Sequence, residues 1–464
     1  MLHKSALKYP KTSRLPDILI RPFQEFTHAT MSSGVLLLLC TIIALLWANG
    51  PFSHSYHTLW EHRFIVGFSS LQLNYPLHVW INDGFMAFFF LLVGLEIKRE
   101  MLVGELSQIR QAVLPLIAAL GGAIFPALLY TIFTWGTPAS SGWGIPMATD
   151  IAFALGVLAL LGKHIPLALK VFLTALAIVD DLLAVLTIAL FYSHGISWPA
   201  FFLGSLLLLV LLLCNLVGIR RRLIYFLLGF LLWLAIFASG LHAAITGILV
   251  AWMIPVRSRL NASTFIQQSQ EMLATFARGR ALGLGLVMDE RQQAAIRALE
   301  VHTEAIQAPL QRIEHALHIP VRFAILPLFV LANAGVTLTL ASLSHVFIHP
   351  VCLGILIGLL VGKQLGILLF SWSVIKLKWA QLPTGITWKH IYGIGWLGGI
   401  GFTMSLFIAD LAFGDTQSAF LEQAKVAILL ALLLSSVGGF LLLRLSGTPQ
   451  EPAAHTIDHD ICEQ

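Results

Sequence analysis

The chain has 464 residues, of which 58% are hydrophobic and 11% charged, with a formal net charge of +5. That is far too little polar surface for a soluble protein of this size, so the composition predicts an integral membrane protein. The excess of Lys and Arg does not indicate a nucleic-acid partner, because most of these residues lie in short segments between apolar runs, where they mark topology.

Residues 1–30 carry Lys4, Lys8, Lys11, Arg14 and Arg21 among Pro10, Pro16 and Pro22. They lack the short apolar core and small-residue cleavage site of a signal peptide and read as a cytoplasmic tail. With about 20 apolar residues per crossing, twelve spans follow, near 31–49, 78–97, 112–134, 144–162, 166–191, 198–218, 223–239, 241–255, 319–338, 350–373, 391–413 and 424–443. Positive residues should fall in alternate, cytoplasmic connections, and they do. The 98–110 connection has Lys98, Arg99 and Arg110, the 162–166 turn has Lys163, and the 219–222 turn has Arg220, Arg221 and Arg222. The 256–318 loop has seven and the 374–390 loop three, whereas the loops at 135–143, 192–197 and 339–349 have none and the 50–77 loop only Arg63. Both termini are therefore expected in the cytoplasm.

Between spans 1 and 2, Leu71, Leu73 and Tyr75 alternate with Ser70, Gln72 and Asn74, the period of a half-buried strand, which predicts a small periplasmic hairpin within 56–76. In the 256–318 loop, Ile296, Leu299, Ile306, Leu310, Ile313 and Leu317 recur at helical spacings and predict an amphipathic helix interrupted near Pro309. Residues 446–464 read as a disordered cytoplasmic tail. The four cysteines form no CxxC, so neither a disulfide framework nor a cysteine metal site is expected.

Few ionisable residues interrupt the spans. Asp180 and Asp181 sit side by side at the centre of a membrane-length apolar run, an arrangement that is costly unless the carboxylates bind cations, share protons or face water. Asp150 follows Gly144, Pro146 and Thr149 in a stretch where the helix should be interrupted. Freed backbone at membrane depth lines a cavity or site, and Thr149 with Asp150 adds oxygen ligands for a hard cation. The alternative is an Asp that caps a kinked helix. Gly398, Gly399 and Gly401 predict a matching break in span 11, unless they serve close helix packing. The interrupted spans are the middle members of triplets 3–5 and 10–12, which run in opposite directions and so form inverted repeats whose broken helices meet at the midplane.

Lys363 lies mid-span and should pair with a carboxylate or stay neutral. Adjacent helix positions diverge by about 100°, so Asp180 is expected to pair with Lys363, and Asp181 with Asp150 to face the cation. His242 and Asp83 lie near the outer surface, where structural roles are the simpler reading, and Arg322 lies near a cytoplasmic end. Asp410 has no explanation from sequence. At the cytoplasmic mouth, Glu96, Arg99 and Glu100 share one helix face, and Arg312, Glu314, His315 and His318 precede span 9; these form either an acid, base and imidazole cluster able to titrate near neutral pH or an ordinary solvated helix end.

The stretches Ile81-Asn82-Asp83, Gly94 to Glu100, Ala148 to Phe153, Ala177 to Leu182, Ala332 to Val336, Gly362-Lys363 and Gly399 to Ser405 resemble, in order and spacing, bacterial sodium/proton antiporters of the NhaA family. The resemblance covers residues 20 to 445. It implies an all-α polytopic fold in a bacterial inner membrane, and since paired broken helices in inverted repeats are a described feature of this same family, the fold expectation is not independent of it. It implies that Asp150 and Asp181, with Thr149 nearby, bind Na+ or Li+ and protons in competition, and that Asp180 pairs with Lys363. It further implies pH sensing by Glu96, Arg99, Glu100, Arg312, Glu314, His315, His318 and His242, a homodimer through the 56–76 hairpin, and no cofactor. Gln311 in place of an expected basic residue, the long 260–310 loop and Asp410 depart from the pattern. Two other classes are compatible with membrane carboxylates: a sodium-coupled solute symporter, for which no second polar cluster exists, and an intramembrane aspartyl protease, whose Gly-x-Gly-Asp signature is absent because Gly399-Ile400-Gly401 is followed by Phe402.

Overall fold

A computed structural model describes residues 15–68, 71–162, 165–193, 195–219, 221–256, 262–279, 290–306, 308–337, 348–414 and 417–446. In chain order these form α1 (Leu15–Asn49), α2 (Ser53–Glu61), the strands β1 (Arg63–Phe68) and β2 (Leu71–Pro76), α3 (Leu77–Leu102), α4 (Ile109–Thr134), α5 (Pro138–Met147), α6 (Ile151–Leu160), α7 (Leu167–Phe191), α8 (Trp198–Leu216) and α9 (Arg222–Ala238). There follow α10 (Ile245–Met253), α11 (Ala262–Gly279), α12 (Glu290–Ile306), α13 (Pro309–Asn333), α14 (Pro350–Lys376), α15 (Trp388–Gly398), α16 (Phe402–Phe413) and α17 (Ser418–Leu445). The tail from 447 onward lies outside the described residues.

Eight of these helices are long and apolar enough to cross a bilayer, and two further spans are pairs, α5 with α6 and α15 with α16, bent by 43° and 44°. Both breaks fall where proline and glycine predicted them. The expected seventh span is α9, with 17 residues. The eighth departs from expectation, since α10 has only nine residues and reaches about 14 Å at 1.5 Å per residue, well short of a bilayer core. Gly240, at φ +83°, ends the preceding helix in a left-handed turn, and the chain re-enters a helix only at Ile245.

The ninth span also differs: it begins at Pro309, not 319. Pro309 takes the first helical position, where its missing N–H costs nothing. The amphipathic segment then runs on through Pro320 by widening into a π-helical turn over Val321–Ile325, which accommodates the absent donor. The expected interruption near Pro309 is thus the gap between α12 and α13. α11, which packs against α12, has no counterpart among the elements expected from sequence. At the other end of the chain, α1 starts at Leu15, inside the stretch read as a tail.

The hairpin is antiparallel, with Phe64 opposite Tyr75 and Val66 opposite Leu73. Its base is tied to the bundle by Tyr56 of α2, whose hydroxyl donates to the Leu331 carbonyl at 2.8 Å and accepts from Gly335 N at 3.1 Å. Burial pushes the Tyr56 phenol up to about 12, so it stays a donor at all ordinary pH.

Within the bundle, glycines let helices approach closely. A Cβ on Gly121 of α4 would collide with the Gly366 carbonyl of α14, and one on Gly366 with the Gly121 carbonyl, so each backbone occupies the other's side-chain space. Small residues let membrane helices approach this closely, and dispersion then holds them where lipid gives no hydrophobic drive. The α4–α14 crossing joins the first helices of the two triplets and fixes the broken helices between them.

Candidate functional site

The two interruptions cross each other. Ala148 and Asp150 are extended, and the Asp150 N–H donates to the Ile400 carbonyl in the opposite break at 2.6 Å. Extended backbone at this depth must find partners outside its own helix, and each break supplies them to the other. Ser405 Oγ adds a bond to the Ile145 carbonyl at 2.8 Å.

Asp150 does more than the alternatives drawn from sequence allowed, because it is both a cap and a bridge. Its Oδ1 accepts from Phe153 N at 3.0 Å, capping α6. Its Oδ2 accepts from Thr403 N at 3.1 Å and Thr403 Oγ1 at 2.6 Å, at the start of α16. Two helix N-termini therefore converge on one carboxylate, and their donors and dipoles offset part of the cost of burying it.

Asp180 and Asp181 diverge as adjacent helical positions must. Asp180 Oδ2 takes the Lys363 ammonium as an ion pair in the fully buried interior. Lys363 is 0% exposed and follows a π-helical turn over Gly358–Gly362 that re-aims the start of the next α-helical segment. Thr149 Oγ1 lies 2.5 Å from Asp180 Oδ2 and 2.8 Å from the Gly398 carbonyl, so its one proton serves one acceptor at a time. Asp181 is 3% exposed, and its Oδ1 has no hydrogen-bond partner among the described residues. It lies in the field of Asp180 and Asp150, a repulsion that a bound cation or proton relieves.

Asp150 and Asp181 border a cavity of about 130 Å³ that also touches Thr149 and Thr403 and extends to Glu96, Arg99, His318 and Arg322. At that second end Arg99 pairs with Glu314 at 2.8 Å and Glu100 at 3.0 Å, and His318 Nε2 lies 3.7 Å from Glu96 and 3.6 Å from Glu314. The structure thus brings Glu96, Arg99, Glu100, Glu314 and His318 together. His315, one residue from Glu314, turns to the exposed face of α13, and Arg312 is half-buried on the same helix. His242 is elsewhere, with Nε2 2.6 Å from the Tyr192 carbonyl.

Sequence reasoning missed Thr403 as a site residue. The glycine-rich break pointed to this position, but the hydroxyl's target on another helix has no local signature. Asp410, unexplained by sequence, accepts from Asn82 Nδ2 at 2.7 Å, and Asn82 Oδ1 in turn accepts from Asn333 Nδ2 at 2.8 Å. It belongs to a polar network joining α3, α13 and α16 away from the aspartate site.

The chain matches the model of the Na+/H+ antiporter 1 family over residues 24–443. The protein named Na(+)/H(+) antiporter NhaA of Oleidesulfovibrio alaskensis is 49% identical over 436 residues, 94% of this chain and 96% of that protein. The corresponding figures for NhaA 1 of Saccharophagus degradans are 43% over 438 residues, with 94% of each chain covered. NhaA 2 of Syntrophotalea carbinolica is 47% identical over 425 residues, 91% of this chain and 96% of its own. Agreement of this extent, on a polytopic helical fold with two crossed helix breaks, means that the chain belongs to the NhaA-type Na+/H+ antiporter 1 family.

Proposed function

We propose that this protein exchanges cytoplasmic Na+ or Li+ for external H+ across a bacterial inner membrane, at one site built on Asp150 and Asp181 with Thr149 beside them. One observation carries this reading: Asp181, whose buried Oδ1 has no hydrogen-bond partner among the described residues, borders a cavity shared with Asp150. Neither the symporter nor the protease reading finds support in the relatives.

The exchange follows from one site with two mutually exclusive occupants. Ionised carboxylates and neighbouring hydroxyl and carbonyl oxygens suit a hard cation, whereas protonated carboxylates do not. The Lys and Arg distribution supports a cytoplasmic location for both termini and for the Glu96–His318 mouth. Na+ enters from there, the two crossed breaks move relative to their surroundings, and protons displace it on the other side. If more than one proton returns per Na+, an inside-negative potential drives export at roughly 2.3 kcal/mol per net charge per 100 mV. Asp180 and Lys363 form the internal pair, and the charged mouth tunes the pH response. The hairpin carries exposed Phe64 and Ile65 and serves as the contact of a homodimer.

The test is transport by purified protein in vesicles carrying a pH-sensitive dye, with Na+, Li+ and K+ added in turn. Dequenching is expected with Na+ and Li+ alone, with an apparent KM for Na+ that rises as pH falls because protons compete. Asp181→Asn, which preserves shape but cannot ionise, should abolish the signal, and full activity in that variant would refute the assignment.

A further inference from the structure

The cavity mouth holds three side chains in an arrangement that ion exchange does not require. Glu96 comes from the last turns of α3, and Glu314 and His318 lie one turn apart on α13. His318 Nε2 is 3.7 Å from Glu96 Oε1 and 3.6 Å from Glu314 Oε1. One donor atom from each of the three falls within 4.8 Å of the other two. An ion holding N and O ligands at about 2.0–2.1 Å in a tetrahedron separates those ligands by about 3.4 Å. Both measured edges are within a few tenths of an ångström of that value.

One of the donors is already engaged. The Glu314 side chain is only 4% exposed, and its Oε1 lies 2.8 Å from Arg99 Nη1. Arg99 is the competitor for Glu314, but it is 41% exposed and already bonded to Glu100 at 3.0 Å, so it has a carboxylate to keep when it yields Glu314. Among the described residues lining the cavity, Arg322 is the other guanidinium at this end, facing the carboxylates of Glu96 and Glu314.

We propose that Glu96, Glu314 and His318 form a binding site for a divalent transition cation of the Zn2+ class, with water as the fourth ligand, and that an ion there closes the route to Asp150 and Asp181. The donor set selects this class. Imidazole with carboxylates suits Zn2+ and its neighbours, whereas Ca2+ and Mg2+ require six or more oxygen ligands. The site also lies across the charged end of the cavity, so its occupant adds two positive charges where Na+ must pass.

The experiment is calorimetric titration of the purified full-length protein with Zn2+, and of Co2+ by visible absorption. One site with a tetrahedral Co2+ spectrum is expected in the wild type, weakened more than about tenfold in Glu314→Gln and in His318→Gln. His315→Gln, a change at the exposed neighbour on the same helix, should bind as wild type. His318→Cys supplies a thiolate ligand and should retain tight binding, which separates loss of a ligand from loss of the fold. No binding by the wild type, or binding untouched by both the Glu314 and His318 changes, overturns the site. In vesicles, Zn2+ on the cytoplasmic face should inhibit exchange at the concentrations that fill the site, and undiminished exchange at saturation overturns the closure. Binding is read without transport, so its failure is distinguishable from failure of the antiport reading, on which only the inhibition rests.

Discussion

Thr403 donates twice to one oxygen of Asp150, through its hydroxyl at 2.6 Å and its amide at 3.1 Å. The amide bond survives any substitution but proline, whereas the hydroxyl bond needs Thr or Ser. Thr403→Val keeps the shape and removes a hydrogen bond to a charged acceptor, worth about 1.5–3 kcal/mol. With Asp150 less firmly oriented, the apparent KM for Na+ should rise roughly tenfold or more, and Thr403→Ser should restore it. A Val variant with unchanged KM would make the bond purely structural. The contrast with Asp150, Asp180, Asp181 and Lys363 explains what was legible at this scale. Ionised groups in a membrane-length apolar run stand out because their burial is expensive. A threonine in such a run costs little and is ordinary, so only its partner reveals its use. The carbonyls of Gly398 and Ile400 leave no trace in the residue letters at all.

Elements were read well where a residue type forces the backbone. Pro146 with its glycines, and the glycines at 398–401, predicted both breaks because such residues weaken or interrupt regular helices. Their bends of 43° and 44° could not be read from sequence. Boundaries failed where tertiary context absorbed an irregularity: a π-helical turn carried α13 through Pro320, and a left-handed glycine cut α10 short. Glycine also has a packing role that sequence leaves ambiguous. At the α4–α14 crossing, Gly366→Val should force the helices apart, costing about 1–3 kcal/mol as other overpacked substitutions do. The expected result is a lower thermal transition of the detergent-solubilised protein. Gly385 has φ +82°, and a Cβ there would meet no atom within 4 Å, so Gly385→Val should act only through backbone strain. If both variants unfolded alike, packing at the crossing would not be the cause.

Across the whole molecule, the Lys363–Asp180 pair ties the two triplets together, since Asp180 belongs to the last helix of the first and Lys363 to the first helix of the second. Breaking a buried pair from one side leaves an uncompensated charge and typically costs about 3–5 kcal/mol. Lys363→Gln should therefore destabilise the fold strongly, and adding Asp180→Asn should recover much of the loss. Thermal unfolding of the two single variants and the double variant measures the coupling, and strictly additive losses would exclude it. Sequence by itself determined that this chain lives in a membrane, the placement of most of its spans, the two interruptions and the carboxylates buried within the spans. Each of these follows from a local cost, such as apolar length, a helix-breaking residue or a buried charge. The tertiary structure alone decided which groups meet: Thr403 on Asp150, Asn82 on Asp410, and Glu96 against two residues of α13. Those contacts join helices far apart in the chain, and they are set by the close crossings of the bundle and by bends whose angles no local preference encodes.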